Sequence, residues 1–204
     1  MKKFGFTLAE VLTTLTVIGV VSALTLPNLV NNANTTAQIG PKLAKAASAF
    51  EQANQNLMNN NFVEKLSETD YFSSNESYIT ELKKYLKITT STASTFTTKD
   101  GTLFTIVDVF KVPTNPKDAA YSQYIGDLEI DLNGSNMPNT AGSDIFSFTI
   151  WNDGSLRPKG GTNWDGKDSE DTHWTKLCPV NAIPTDYSSC AGHIFENNMK
   201  ALYK

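Results

Sequence analysis

The chain has 204 residues, 40% of them hydrophobic, with 17 Lys and Arg against 21 Asp and Glu and a formal net charge of −4. Its sequence pI near 5.2 excludes the general basic grip on nucleic acid that neutralising phosphates requires, though not a local patch. Once one long apolar run near the start is set aside, the remainder suffices for one soluble domain of ordinary size with a modest core.

That run covers residues 5–27, GFTLAEVLTTLTVIGVVSALTLP, behind Met-Lys-Lys-Phe, and its only charge is Glu10. An apolar helix of about 20 residues can cross the hydrocarbon core of a bilayer, and the two leading lysines would stay on the cytoplasmic side. A cleaved secretory signal accounts for it less well. Val20-Val21-Ser22-Ala23 is a weak small-residue cleavage site, and an acid is out of place in the apolar region of such a signal. A carboxylate inside a membrane span costs roughly 2.5–3.5 kcal/mol on insertion scales, so Glu10 asks for a partner. The plainer alternative is an acid near the end of an ordinary anchor, snorkelling to the headgroups.

Gly5-Phe6-Thr7-Leu8-Ala9-Glu10 resembles the type III signal of type IV pilins and type II secretion pseudopilins, and Gly19 and Pro27 also fall where that family often has a Gly and a helix-kinking Pro. This motif resemblance covers about the first 30 residues. Within it Ala9 replaces the usual branched aliphatic, and Thr13, Thr14 and Thr16 make the run more polar than most. The resemblance implies that a prepilin peptidase cuts between Gly5 and Phe6 and methylates the Phe6 amine. Glu10 would then pair with the Phe6 amine of a neighbouring subunit as it enters a filament, a buried ion pair acting as a register device. The implied setting is the inner membrane, crossed once, with the head outside the cytoplasm and the filament in the periplasm or at the cell surface. The implied partners are like subunits and other pilins, the prepilin peptidase, an inner-membrane assembly platform and the lipid bilayer. Nucleic acid joins them only if the chain is a DNA-uptake pilin. The implied fold is α+β and pilin-like: a long N-terminal helix, membrane-spanning in its first half, packed on a small antiparallel sheet, with a C-terminal disulfide loop. The chain then divides into a leader at 1–5, a transmembrane assembly helix at 6–30, its amphipathic continuation at 31–62 and a globular head at 63–204.

Beyond Pro27 the sequence turns polar, but Ile39, Leu43, Ala46, Ala47, Phe50, Ala53 and Leu57 recur at spacings of three and four. That spacing makes an apolar stripe on one helix face. One long helix is predicted from 6 to 59, bent at Pro27 and restarting at Gly40-Pro41, with Asn59-Asn60-Asn61 ending it. Asn75 is a plausible N-cap for a short helix that buries Tyr78, Ile79, Leu82, Tyr85 and Leu86. The threonine-rich stretch 91–98 is β-prone. Lys99-Asp100-Gly101 then predicts a hairpin into a strand at 102–112. Phe104, Ile106, Val107 and Val109 are its candidate core residues, and Pro113 and Pro116 close it.

In 125–158, Leu128, Ile130 and Leu132 alternate with Glu129 and Asp131 as in a half-buried strand. Ile145–Trp151 reads as a second strand with Phe146, Phe148 and Ile150 on one face, and Asn152-Asp153-Gly154 as the next tight turn. The loop between these strands collects Asp131, Asn133, Asn136, Asn139 and Asp144. Such oxygen donors could surround calcium, with Asp131, Asn133 and Asp144 as candidate ligands, and the block loosely resembles the sheet region of pseudopilins whose major subunits bind calcium in a loop. The spacing does not match an EF-hand, however, and Asx, Gly and Pro are also what an ordinary turn uses. Residues 159–176 are glycine-rich and acidic; Asp165, Asp168, Glu170 and Asp171 read as solvated surface, and His173 as a lone surface or partly buried side chain.

Cys178 and Cys190 are the only cysteines. In a domain exported past the membrane a disulfide is favoured over two free thiols, and a metal site is disfavoured because no CxxC or paired His accompanies them. The loop they bracket resembles the disulfide-closed C-terminal loop of many pilins. Residues 191–203 could form a helical turn or two, with Ile194, Phe195, Met199 and Leu202 on the apolar side. No nucleophile elbow, P-loop, HExxH or Rossmann glycine pattern occurs, so the expectation is a building block and not an enzyme.

Overall fold

A computed structural model describes residues 8–109, 123–136, 139–161, 173–178 and 190–197. Helix α1 is Leu8–Asn61, α2 is Asn75–Leu82, α3 is Trp174–Leu177 and α4 is Cys190–Glu196. The strands are β1 (Ile88–Ser91), β2 (Thr95–Thr98), β3 (Leu103–Val109), β4 (Tyr124–Asp131), β5 (Ile145–Trp151) and β6 (Leu156–Pro158). They form one six-stranded sheet in the order β1-β2-β3-β4-β5-β6, every neighbouring pair antiparallel. The class is therefore α+β. The chain divides into two compact units, one reaching to Gln38 and the other beginning at Ile39.

In the second unit the stripe on α1 becomes the centre of the core. Leu43, Ala46, Ala47, Phe50, Ala53 and Leu57 are all buried, and Ile39 is partly buried against them. Phe50 stacks on Phe96 of β2 and Phe104 of β3 at ring separations of 6.3 and 5.9 Å, and meets Tyr78 of α2 edge-on at 6.2 Å. Register explains why these rings share a face. Phe96 pairs with Phe104, Phe104 with Ile130, and Ile130 with Phe146, so one row of the sheet is apolar across four strands. Each such side chain contributes roughly 1.5–3 kcal/mol by leaving water.

Several boundaries differ from the sequence reading. Helix α1 runs through Gly40-Pro41 without restarting. A proline forfeits one backbone bond, and the burial of Leu43, Ala46 and Phe50 directly after Pro41 holds the following turns in place. The cap of α2 is Ser74, whose Oγ accepts from the Ser77 amide at 3.2 Å. Asn75 instead donates its side-chain amide to the Ile106 carbonyl of β3 at 2.9 Å. Tyr85 and Leu86 lie beyond the helix and are only partly buried. Val107 is exposed, because in a strand only alternate residues share the face of Phe104 and Ile106. The side chain of Val109, and Pro113 and Pro116, lie outside the described residues. The hairpin forms as its sequence predicts: the Thr98 amide donates to the Thr102 carbonyl at 2.9 Å, and Gly101 takes the positive φ of 87°.

Polar side chains of α1 tie it to the β5–β6 turn. Glu51 Oε1 accepts from the Leu156 amide at 2.8 Å, and Asn54 Nδ2 donates to the Gly154 carbonyl at 3.0 Å. Gln55 Nε2 donates to the Asp153 carbonyl at 2.6 Å. Gly154, at φ 81°, is a glycine for two reasons: its backbone is left-handed, and a Cβ there would meet Gln55 Nε2 at 2.9 Å.

Candidate functional site

The residues singled out in the sequence fall in three places: the N-terminal part of α1, the β4–β5 loop and the disulfide region. Gly5 and Phe6 lie outside the described residues. Glu10 sits in the first turn of α1. Around it the helix exposes large apolar side chains, with Leu12 58%, Leu15 62% and Ile18 61% accessible. The threonines that make this run unusually polar spend their hydroxyls within the helix. Thr13 Oγ1 donates to the Ala9 carbonyl at 2.6 Å, Thr14 Oγ1 to that of Glu10 at 2.8 Å and Thr16 Oγ1 to that of Leu12 at 2.8 Å. Such back-bonding leaves a threonine presenting chiefly its methyl group to the surroundings. Among the described residues no helix is long and apolar enough to cross a membrane.

In the β4–β5 loop the structure brings Asp131, Asn133 and Asp144 together. Asp131 Oδ1 accepts from the amides of Asn133 and Gly134 at 3.1 and 2.9 Å. Asp144 Oδ1 accepts from the Thr140 amide at 2.6 Å, and its Oδ2 from the Asn139 amide and the Asn133 side chain at 2.8 Å each. Both carboxylates are buried. Burial pushes the Asp131 carboxyl above the usual carboxylate range, and the nearby charge of Asp144 adds to the rise. The two amides it accepts from and the ammonium of Lys42 pull the other way. Lys42 Nζ donates to the Leu132 carbonyl in the same loop. These bonds are those of a tight Asx-rich turn. Among the described residues no group of three or more His, Cys, Asp or Glu side chains is placed to hold a metal. Asp165, Asp168, Glu170 and Asp171 lie outside the described residues.

Cys178 and Cys190 are joined in a disulfide, with Cα atoms 5.3 Å apart and both residues buried. It joins the end of α3 to the start of α4. The Gly192 amide of α4 donates to the Lys159 carbonyl at 2.8 Å. A Cβ on Gly192 would lie 2.1 Å from the Gly161 nitrogen, so only glycine permits this approach. His173 has its Nε2 2.9 Å from Glu196 Oε2 at the far end of α4. Ile194 is buried and Phe195 packs edge-on against Phe148 at 5.7 Å, while Met199 and Leu202 lie outside the described residues.

Sequence reasoning passed over Asn54 and His193. Asn54 is fully buried between Tyr78 and Gly154: the Tyr78 hydroxyl donates to its Oδ1, and burial drives that phenol far above its ordinary pKa. Its signal was an Asn set inside the apolar stripe next to Ala53. His193 is buried on α4, and burial lowers its pKa. Nothing in its neighbourhood in the sequence marks it. No family model, curated protein or solved structure matches this chain.

Proposed function

We propose that the chain is a pseudopilin-like filament subunit of a type II secretion-type export machine, anchored in the inner membrane and processed by a prepilin peptidase. The observation that carries this reading is the motif Gly5-Phe6-Thr7-Leu8-Ala9-Glu10 at the head of an apolar run. Cleavage after Gly5 removes the basic leader and leaves Phe6 with a charged amine, which is costly to bury unpaired. Glu10, about one helical turn from Phe6, supplies the acceptor for the amine of the adjacent copy. Two further features support the reading. Large apolar side chains cover the exposed N-terminal part of α1, the kind of surface that marks membrane or protein contact. The hydroxyls of Thr13, Thr14 and Thr16 are satisfied within the helix, so they need no partner in lipid or in a filament core. The disulfide between Cys178 and Cys190 accords with a head outside the cytoplasm.

The second reading, a type IV pilin for adhesion, motility or DNA uptake, shares every residue of this argument. Genetic neighbours separate the two: a secretin and export ATPase beside other pseudopilins, against retraction and adhesion genes. The proposal itself is tested by mass spectrometry of the protein from cells and by Glu10→Ala. The mature chain should begin at a methylated Phe6, and the variant should reach the membrane but not enter filaments. A chain still starting at Met1, or a variant assembling as the wild type does, would refute it.

A further inference from the structure

A cleft in the second unit lies between α1, the segment leading into β1 and the β2–β3 hairpin, with a volume of about 460 Å³. That is within the roughly 300–1,000 Å³ range of small-molecule sites. Its wall is apolar where Ala46, Ala49, Leu86 and Phe104 meet. Three lysines border it, Lys45, Lys87 and Lys99, all exposed. The ladder holds two of them side by side: the Lys99 amide donates to the Lys87 carbonyl at 3.0 Å.

The only acid among the lining residues is Asp100, and it is already answered. Thr98 Oγ1 donates to its Oδ1 at 2.6 Å, and Lys45 Nζ lies 3.7 Å from its Oδ2. Among the described residues, Lys87 and Lys99 form no ion pair. A chain of net charge −4 thus gathers an excess of positive charge around an apolar hollow.

We infer that this cleft binds a small amphiphilic anion, its apolar body against Ala49, Leu86 and Phe104 and its carboxylate between Lys87 and Lys99. The apolar wall supplies affinity by desolvation, and the ammonium groups fix which end of the ligand carries the charge. The site draws on none of the residues that carry the filament proposal and stands or falls separately from it.

The test uses the full chain in phosphatidylcholine nanodiscs, with 4-phenylbutyrate as the probe, its neutral amide as the control and empty nanodiscs as the blank. Saturation-transfer NMR should give saturable binding of the acid above the blank, with the amide at least several-fold weaker. Lys87→Glu combined with Lys99→Glu should weaken binding about tenfold, the loss of a pair of charge-assisted contacts. Lys83→Glu, an exposed lysine outside the cleft, should leave binding unchanged. No saturable signal, equal binding of acid and amide, or equal effects of the reversals at Lys83 and at Lys87 with Lys99 would each overturn the inference.

Discussion

Asn54 shows how much one polar side chain can organise. It accepts from the buried Tyr78 hydroxyl and donates to the Gly154 carbonyl, so it joins α1, α2 and the β5–β6 turn at one point. Asn54→Ala strands two buried polar groups, and each costs about 1–3 kcal/mol when unpaired. The expected loss is about 2–4 kcal/mol in a urea titration, and Tyr78→Phe in the same chain should recover part of it, because one stranded group is then gone. A strictly additive double variant would show the network does not exist. His193 sets a pH dependence. Burial lowers its pKa in the folded chain, so the unfolded chain takes up the proton first, near its ordinary value of about 6.5. Its contribution to stability is complete above that pH and declines as the pH falls below it. His193→Gln should flatten that part of a melting-temperature profile; an unchanged slope would assign the pH dependence to other groups.

At the scale of elements, α1 carries two unlike surfaces. From Leu43 to Leu57 it presents a buried stripe to the sheet, flanked by Glu51, Asn54 and Gln55, which fasten it to the β5–β6 turn. Its apolar residues near Glu10 are instead exposed. The helix stops where Phe62 takes a left-handed conformation, φ 56°, with 96% of its surface accessible. Glycine occupies such a position at lower cost than a residue with a Cβ. Phe62→Gly should therefore stabilise the fold by about 0.5–1 kcal/mol, read from thermal melts; a loss of stability would mean that the exposed ring has a role in the fold that its accessibility hides. The sheet edge is managed differently. Strand β1 is short and mostly exposed, and its residues Thr89, Thr90 and Ser91 carry hydroxyls, a surface that offers little apolar purchase to a pairing strand.

For the whole molecule, the disulfide ties the end of α3 to the first residue of α4, and α4 in turn meets the sheet region through the Gly192 amide on the Lys159 carbonyl and Phe195 on Phe148 of β5. Cys178→Ser with Cys190→Ser should cost about 3 kcal/mol on the chain-entropy model for a loop of this order. The loss should match that of the wild type measured under a reductant; a pair of variants as stable as the oxidised protein would make the bond dispensable.

Periodicity alone determined that α1 carries an apolar stripe and that strands run through Leu128–Ile130 and Ile145–Trp151, and turn chemistry that Asp100-Gly101 makes a hairpin. Those signals are local, a spacing of three and four or of two that any neighbour on the buried side will satisfy. The Gly5-Phe6 and Glu10 motif behind the proposed processing is likewise legible in the amino-acid order, because a cleavage signal of the kind proposed would be read as a linear string. Tertiary structure decided what depends on residues distant in the chain: that Asn54 and Tyr78 meet, that Gly192 lies against Gly161, and that Lys87 and Lys99 flank one cleft. Each of these is a short-range interaction between segments brought together by burying the same row of aromatic side chains. The distances that govern it exist only after that row has assembled.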